Sequence, residues 1–90
     1  MANISMGAID FTVGDQRGAV SVAFDQASRK VIFETSEPRA TRREIPFDGT
    51  SVLPQGDRAM FVMEDQKVWS TPLPIQAVQG IFDRIAKLTP

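Results

Sequence analysis

The feature that most constrains the fold of this protein is a change in the spacing of its apolar residues near the C-terminus. From Ile9 to Thr71, apolar residues recur mainly at every second position, as in strands with one buried face. From Pro74 onward they recur at steps of three and four residues, which is the spacing of one face of a helix. The sequence therefore predicts a strand-rich part, residues 9–71, followed by one amphipathic helix over about residues 74–88.

Polar loops divide the strand-rich part into hairpins. The segments Ala19–Phe24 and Lys30–Thr35 flank a short polar loop, so we expect them to pair antiparallel. The segments Ala59–Met63 and Val68–Thr71 flank the loop Glu64–Lys67, and we expect them to form a second hairpin. Two antiparallel hairpins therefore make up most of the predicted sheet.

The stretch between the two hairpins, Ser36–Arg58, is the least regular part of the sequence. It carries three prolines and two glycines. Ile45 and Phe47 alternate around Pro46, which has no N–H to donate and therefore suits an edge strand. We expect one short edge strand here, with irregular backbone on either side.

These elements predict an α+β fold. The main prediction is an antiparallel sheet of about five or six strands, with the C-terminal helix packed on one face. The alternative is a small β-barrel capped by the helix. We expect residues 1–90 to form a single compact domain, because a chain of 90 residues is too short for two separate cores.

The predicted sheet has a second apolar face that one helix cannot cover. The strand Ala59–Met63 is apolar on both sides, and small side chains at Ala19, Ser21 and Ala23 line a second face of the first hairpin. The segment Ser36–Arg58 could fold over this face, the sheet could curl into a partial barrel, or a second subunit could cover it. Of these we favour the second subunit, which makes the protein a homodimer.

The composition excludes several kinds of chemistry. The sequence has no cysteine and no histidine, which excludes disulfides, zinc–thiolate sites, thiol nucleophiles and histidine-based catalysis. The acidic residues are scattered at turn positions and show no repeated metal-binding spacing. We therefore expect neither an enzyme nor a cofactor or metal site.

The charge balance and the N-terminal sequence bear on partners and location. The sequence has ten basic and eleven acidic residues, and the net charge of −1 argues against nucleic acid as a partner, since nucleic-acid binders are typically basic. The sequence has no signal-peptide pattern and no run of eighteen apolar residues. We expect a cytoplasmic protein that does not associate with membranes.

The densest polar cluster lies in the irregular stretch and contains Arg39, Arg42 and Arg43. Arginine binds carboxylates and phosphates through a planar fork, so this cluster is a candidate contact with a protein or with a nucleic-acid phosphate. Glu37 and Glu44 flank the cluster, and the alternative is a self-paired, solvated surface.

Two further candidate contact residues are Trp69, the single tryptophan, and Met60 on the neighbouring strand. Both residue types anchor interfaces well, but Trp69 could equally be a core residue beneath the helix. Strand alternation places Val68 and Trp69 on opposite faces.

The sequence therefore predicts a small non-catalytic protein-interaction module that associates with itself and acts as an adaptor or as an inhibitor of a larger protein. The alternative is RNA or DNA phosphate-backbone binding through the arginine cluster.

Overall fold

The computed structural model describes residues 3–36 and 39–88, and within them the protein forms seven strands and one helix. The elements in order along the sequence are β1 (Asn3–Val13), β2 (Gln16–Asp25), β3 (Lys30–Thr35), β4 (Thr41–Pro46), β5 (Ser51–Gln55), β6 (Arg58–Val62), β7 (Val68–Pro74) and α1 (Ile75–Leu88). The predicted α+β class and the C-terminal helix are confirmed.

The strands form two antiparallel sheets, whereas the sequence predicted one. The four-stranded sheet has the order β1-β2-β3-β4, and the three-stranded sheet has the order β5-β6-β7. Among the described residues no strand pairing joins the two sheets, so the alternative of a small closed barrel is wrong. The prediction of a single sheet of five or six strands was wrong because periodicity shows which residues form strands, not which strands pair.

The stretch Ser36–Arg58 is more regular than its composition suggested. It contains β4, an edge strand as predicted, which begins at Thr41 and ends before Phe47. It also contains β5, which the sequence pattern did not reveal because Pro54 interrupts it. β5 is itself an edge strand, where a missing N–H donor is tolerated.

The first strand begins at Asn3, earlier than the Ile9 expected from the alternation, because a β-bulge hides its continuity. The register shifts between Ser5 and Gly7, so one extra residue enters β1 and the side-chain alternation changes phase. Gly7 has a φ of 102°, a conformation that glycine adopts without strain. Met6 and Ile9 are therefore both buried although they lie three positions apart.

The core lies between the inner faces of the two sheets and the helix. The helix contributes Val78, Ile81 and Ile85, all of them buried. The sheets contribute mainly large apolar side chains: Met6, Ile9, Val20, Val22, Phe24, Val31, Phe33, Ile45, Ala59, Phe61 and Leu73. The three-stranded sheet and the helix thus cover the same face of the four-stranded sheet.

The outer face of the four-stranded sheet carries small residues on β2 beside charged residues of β3 and β4. On the four-stranded sheet Ala19 and Ser21 are exposed and Ala23 is half-buried. The segment after β3 supplies β4 and β5 to the sheets, and Ala19 and Ser21 on the small-residue face remain exposed to solvent.

Arg29 fixes the end of β4 through the turn that follows it. Its guanidinium donates to the Asp48 carboxylate at 2.9 Å, and this hydrogen bond lowers the pKa of Asp48. The backbone carbonyl of Arg29 accepts the N–H of Phe47 at 2.9 Å. The β2–β3 and β4–β5 turns are thereby joined, which holds β4 in place beside the rest of the molecule.

Candidate functional site

A cleft of about 500 Å³ opens between β7 and the ends of β3 and β4. Aromatic and aliphatic side chains make up much of its wall, and three threonines and two arginines lie among them. The lining residues are Phe11, Val20, Phe33, Thr35, Thr41, Arg42, Arg43, Trp69, Thr71, Pro72 and Leu73. We call this space the Trp69 cleft. Apolar walls with a few polar groups are the usual make-up of a binding site.

Trp69 lies at the boundary between the core and this cleft. Its ring stacks on Phe61 with 5.2 Å between ring centroids and meets Phe33 edge-on at 5.3 Å. Phe61 is fully buried, whereas Trp69 is half-buried. Trp69 therefore packs against the core, and it also forms part of the cleft wall, while its role as an interface anchor stays a prediction.

Arg43 reaches from β4 across to Trp69 on β7. The guanidinium carbon lies 4.2 Å from the centroid of the Trp69 ring, within the range of a cation–π contact. Arg43 is exposed, and it makes no ion pair with any residue in the described part of the sequence. The guanidinium is therefore in contact with the indole, while its charge has no carboxylate partner within residues 3–36 and 39–88.

The Arg42 side chain lies on the face of β4 opposite to the one that carries the Arg43 side chain. Its guanidinium donates a hydrogen bond to the Glu44 carboxylate at 3.0 Å and another to the Glu34 carboxylate at 3.2 Å. Both hydrogen bonds raise the pKa of Arg42, and the bond to Glu44 has the larger effect. The self-paired surface predicted for the cluster thus exists around Arg42. Glu37, the other acid expected to neutralise the cluster, lies outside the described residues.

Arg39 does not line the Trp69 cleft. Its backbone carbonyl accepts a hydrogen bond from the Thr35 hydroxyl at 3.2 Å, which closes the β3–β4 connection. Because Arg42 and Arg43 lie on opposite faces of β4, the three arginines do not act as one cluster in the structure.

Met60 lies on the other side of the three-stranded sheet from Trp69. In the strand register Met60 is aligned with Leu53 and Ser70, whereas Phe61 is aligned with Trp69. The structure therefore separates the two residues that the sequence placed together. Met60 belongs instead to an outer strip, formed by Leu53, Met60, Val62 and Val68, that crosses all three strands.

The Thr71 side chain shapes the cleft wall. The register of β6 and β7 shifts between Arg58 and Met60, so β7 carries extra residues there. The buried Thr71 hydroxyl donates to the carbonyl of Ala59 at 2.9 Å and accepts the N–H of Leu73 at 3.2 Å. It thus satisfies backbone groups at the bulge and holds β7 in its bent path beside the cleft.

Replacing Thr71 by valine, which has nearly the same shape, should lower the free energy of unfolding by about 1–3 kcal/mol, because both buried hydrogen bonds are lost. Urea denaturation followed by circular dichroism measures this. Thr71→Ser is the matched control, since it keeps the hydroxyl and loses only one methyl group, worth about 0.8 kcal/mol. If the serine variant loses as much stability as the valine variant, the hydroxyl does not hold the bulge.

Several residues of the cleft could not be recognised from the sequence. Thr35 and Thr41 share a hydrogen bond between their hydroxyls at the rim, and Phe33 and Leu73 form part of the wall. The β3–β4 register aligns Thr35 with Thr41, so pairing these two strands would have revealed the rim. The sequence offered no signal for that pairing, because prolines and arginines marked the segment as irregular.

A larger cleft of about 820 Å³ lies where the β1–β2 hairpin approaches the start of β6 and the end of β7. Its ionisable residues are Asp10, Arg17, Asp57 and Arg58, of both signs and all exposed. Its polar groups are solvated and its wall is less aromatic than that of the Trp69 cleft. We therefore take the Trp69 cleft as the candidate site.

Three further findings bear on the character of the protein. In residues 3–36 and 39–88, no three acidic side chains converge where a metal ion would be held. Within the same ranges, no helix has the length and apolar character needed to span a membrane. No protein-family model, curated protein or solved structure matches this sequence.

Proposed function

We propose that this protein is a small non-catalytic protein-interaction module, acting as an adaptor or as an inhibitor of a larger protein, and that the Trp69 cleft holds a segment of its partner. The observation that carries the proposal is the exposed Arg43 stacked at 4.2 Å on the half-buried Trp69 at an apolar cleft. Tryptophan and arginine are the side chains most enriched where binding energy concentrates in protein interfaces.

The surroundings of the cleft suit an extended peptide segment better than a small molecule. A second cleft, of about 460 Å³, lies along β4 and shares Arg43 with the first. β4 is the last strand of its sheet, so one edge of its backbone has no strand partner among the described residues. Free strand edges bind extended peptides through main-chain hydrogen bonds.

The single tryptophan supplies a direct test, because all tryptophan emission comes from the cleft wall. A random peptide library is selected for binding to the immobilised protein, and each enriched peptide is then titrated into the free protein in solution. We expect enriched peptides to shift the Trp69 emission with saturation. If no enriched peptide changes that emission, the Trp69 cleft is not the docking site and the proposal fails.

A matched pair of variants controls this experiment. Thr41→Gln places a longer neutral side chain at the cleft rim and should weaken peptide binding by about tenfold or more. Ser70→Gln makes a comparable change at an exposed position on the opposite face of β7, next to Trp69. We expect the Ser70 variant to bind as the wild type does, and equal weakening by both variants would contradict a cleft-specific contact.

We further propose that the protein associates with itself, and the outer strip supports this. Leu53 and Val68 are 42% and 56% exposed, and Met60 and Val62 beside them are half-buried. The strip crosses all three strands, and continuous apolar patches of this kind mark interaction surfaces. A second copy meeting it across a two-fold axis would bury the same strip on both subunits.

Light scattering at micromolar concentration tests this dimer. We expect the wild type to have the mass of two subunits and the double variant Leu53→Asp, Val68→Asp to have the mass of one. Val13→Asp is the control, since Val13 is similarly exposed at 49% but lies on β1. A wild-type protein that stays monomeric would contradict self-association without affecting the cleft.

Binding to RNA or DNA phosphates through Arg39, Arg42 and Arg43 stays a prediction. The split of Arg42 and Arg43 between two faces of β4 reduces its support. Its test is oligonucleotide affinity as a function of salt, which must fall steeply if several phosphates are neutralised. A triple Arg→Ala variant should then flatten that slope.

A further inference from the structure

We propose that the segment held in the Trp69 cleft presents a carboxylate to Arg43 beside an apolar side chain that enters the cleft. The carboxylate comes from an aspartate or glutamate side chain or from the C-terminus of the partner. This inference rests on the proposed function and names the chemistry of the partner at that site.

The first argument is the pairing of the charged residues that line the Trp69 cleft and the neighbouring cleft along β4. Arg42 is bonded to Glu34 and Glu44, and the Lys67 ammonium lies 3.7 Å from the Asp65 carboxylate. Among the cationic side chains that line these two clefts, only Arg43 has no carboxylate partner within the described residues. A ligand with a carboxylate supplies that missing partner.

The second argument is the pose of the Arg43 guanidinium. The guanidinium carbon lies over the Trp69 ring, 4.2 Å from its centroid, and the guanidinium N–H groups make no hydrogen bond within the described residues, so they remain available to donate. Arginine pairs with a carboxylate through two parallel N–H donors, and this geometry is more effective when the fork is already held in place. The indole orients the fork before the ligand arrives.

The third argument is the position of Arg43 between apolar surfaces. Arg43 lines both clefts, so a segment running along β4 must pass it. On one side of it, Phe33, Val20 and Leu73 are buried residues that contribute to the cleft wall. A ligand side chain entering there is desolvated, so an apolar residue next to the carboxylate is the favoured composition.

The experiment uses the 90-residue protein and the peptides enriched from the random library. We expect the enriched peptides to contain aspartate, glutamate or a free C-terminus next to a large apolar residue. One such peptide is then synthesised in two versions, one with its side-chain carboxylate and one with the corresponding side-chain amide. Each version is made with a free and with an amidated C-terminus. The pair of termini distinguishes a side-chain carboxylate from a terminal one.

Binding is measured by Trp69 emission for the wild type, for Arg43→Gln and for the control Arg58→Gln, which removes an exposed arginine outside the Trp69 cleft. We expect Arg43→Gln to weaken the acidic peptide by about tenfold or more, and Arg58→Gln to leave it within about twofold. The amide peptide should bind the wild type more weakly than the acidic peptide by the same factor. On Arg43→Gln the two peptides should bind equally, because the amide and the Arg43 substitution each remove the same contact.

The outcomes separate this inference from the proposed function. If peptides bind in the cleft but carry no excess of carboxylates, or bind Arg43→Gln as well as wild type, the carboxylate inference is overturned and the docking function stands. If no peptide shifts the Trp69 emission, the proposed function fails and the inference with it. The amide peptide tests the contact on the wild-type protein, so the comparison holds even if the Arg43 variant is unstable.

Discussion

Replacing Phe61 by alanine should lower the free energy of unfolding by about 3–5 kcal/mol. Phe61 is fully buried, and its ring stacks on Trp69 at 5.2 Å and on Phe82 at 5.6 Å, both between ring centroids. Phe33 meets it at 5.4 Å. Removing the ring therefore opens a cavity at the point where both sheets and the helix meet.

This loss is large on the scale of the whole molecule. Small domains are stable by about 5–15 kcal/mol, so Phe61→Ala removes a substantial fraction of that margin. Urea denaturation followed by circular dichroism measures it independently of the changed surroundings of Trp69. Val13→Ala is the control, because Val13 is 49% exposed and its truncation leaves no cavity. Similar losses in the two variants would contradict the central place of Phe61.

The second large effect is expected from Ile85 in the helix. Ile85 is fully buried in the same cluster as Phe61, so Ile85→Ala should cost about 2–5 kcal/mol. Leu88→Ala is a matched control within the same helix, since Leu88 is 44% exposed. The same urea titration measures both variants. If the two variants lose equal stability, the helix does not bury Ile85 against the sheets.

The two substitutions together test whether the sheets and the helix form one cooperative unit. In a two-state domain each variant shifts a single transition to lower urea, and secondary structure and Trp69 emission change together. An Ile85 variant that lost helical signal while the Trp69 environment persisted would show that the helix unfolds separately. The shared cluster of buried residues favours a single transition.

Part of the candidate site was predictable from residue type. Trp69 was singled out because tryptophan anchors interfaces, and Arg43 because the arginine fork binds carboxylates and phosphates. Both residues line the cleft. Met60 was singled out on similar grounds but lies across the sheet, in the outer strip. Residue type identifies a capable side chain, but strand register decides which face that side chain occupies.

Arg42 and Arg43 show the same limit for charge. Adjacent in sequence, Arg42 and Arg43 separate because consecutive residues of a strand face opposite sides. The separation of the two side chains follows only if the segment Thr41–Pro46 is known to be a strand. The arginines and the proline in this segment made it look irregular in the sequence. Glu34 and Glu44 pair with Arg42, whereas Arg43 has no ion-pair partner in the described part of the sequence.

The sequence by itself determined the α+β class, the two hairpins and the helix over Ile75–Leu88, because alternation and helical spacing are local patterns that each segment carries alone. Only the tertiary structure decided that the strands divide into two sheets, that β5 forms around Pro54, and that Arg43 meets Trp69. The physical reason is that strand pairing and packing depend on contacts between segments far apart in the sequence, where burial of the shared core outweighs local preference.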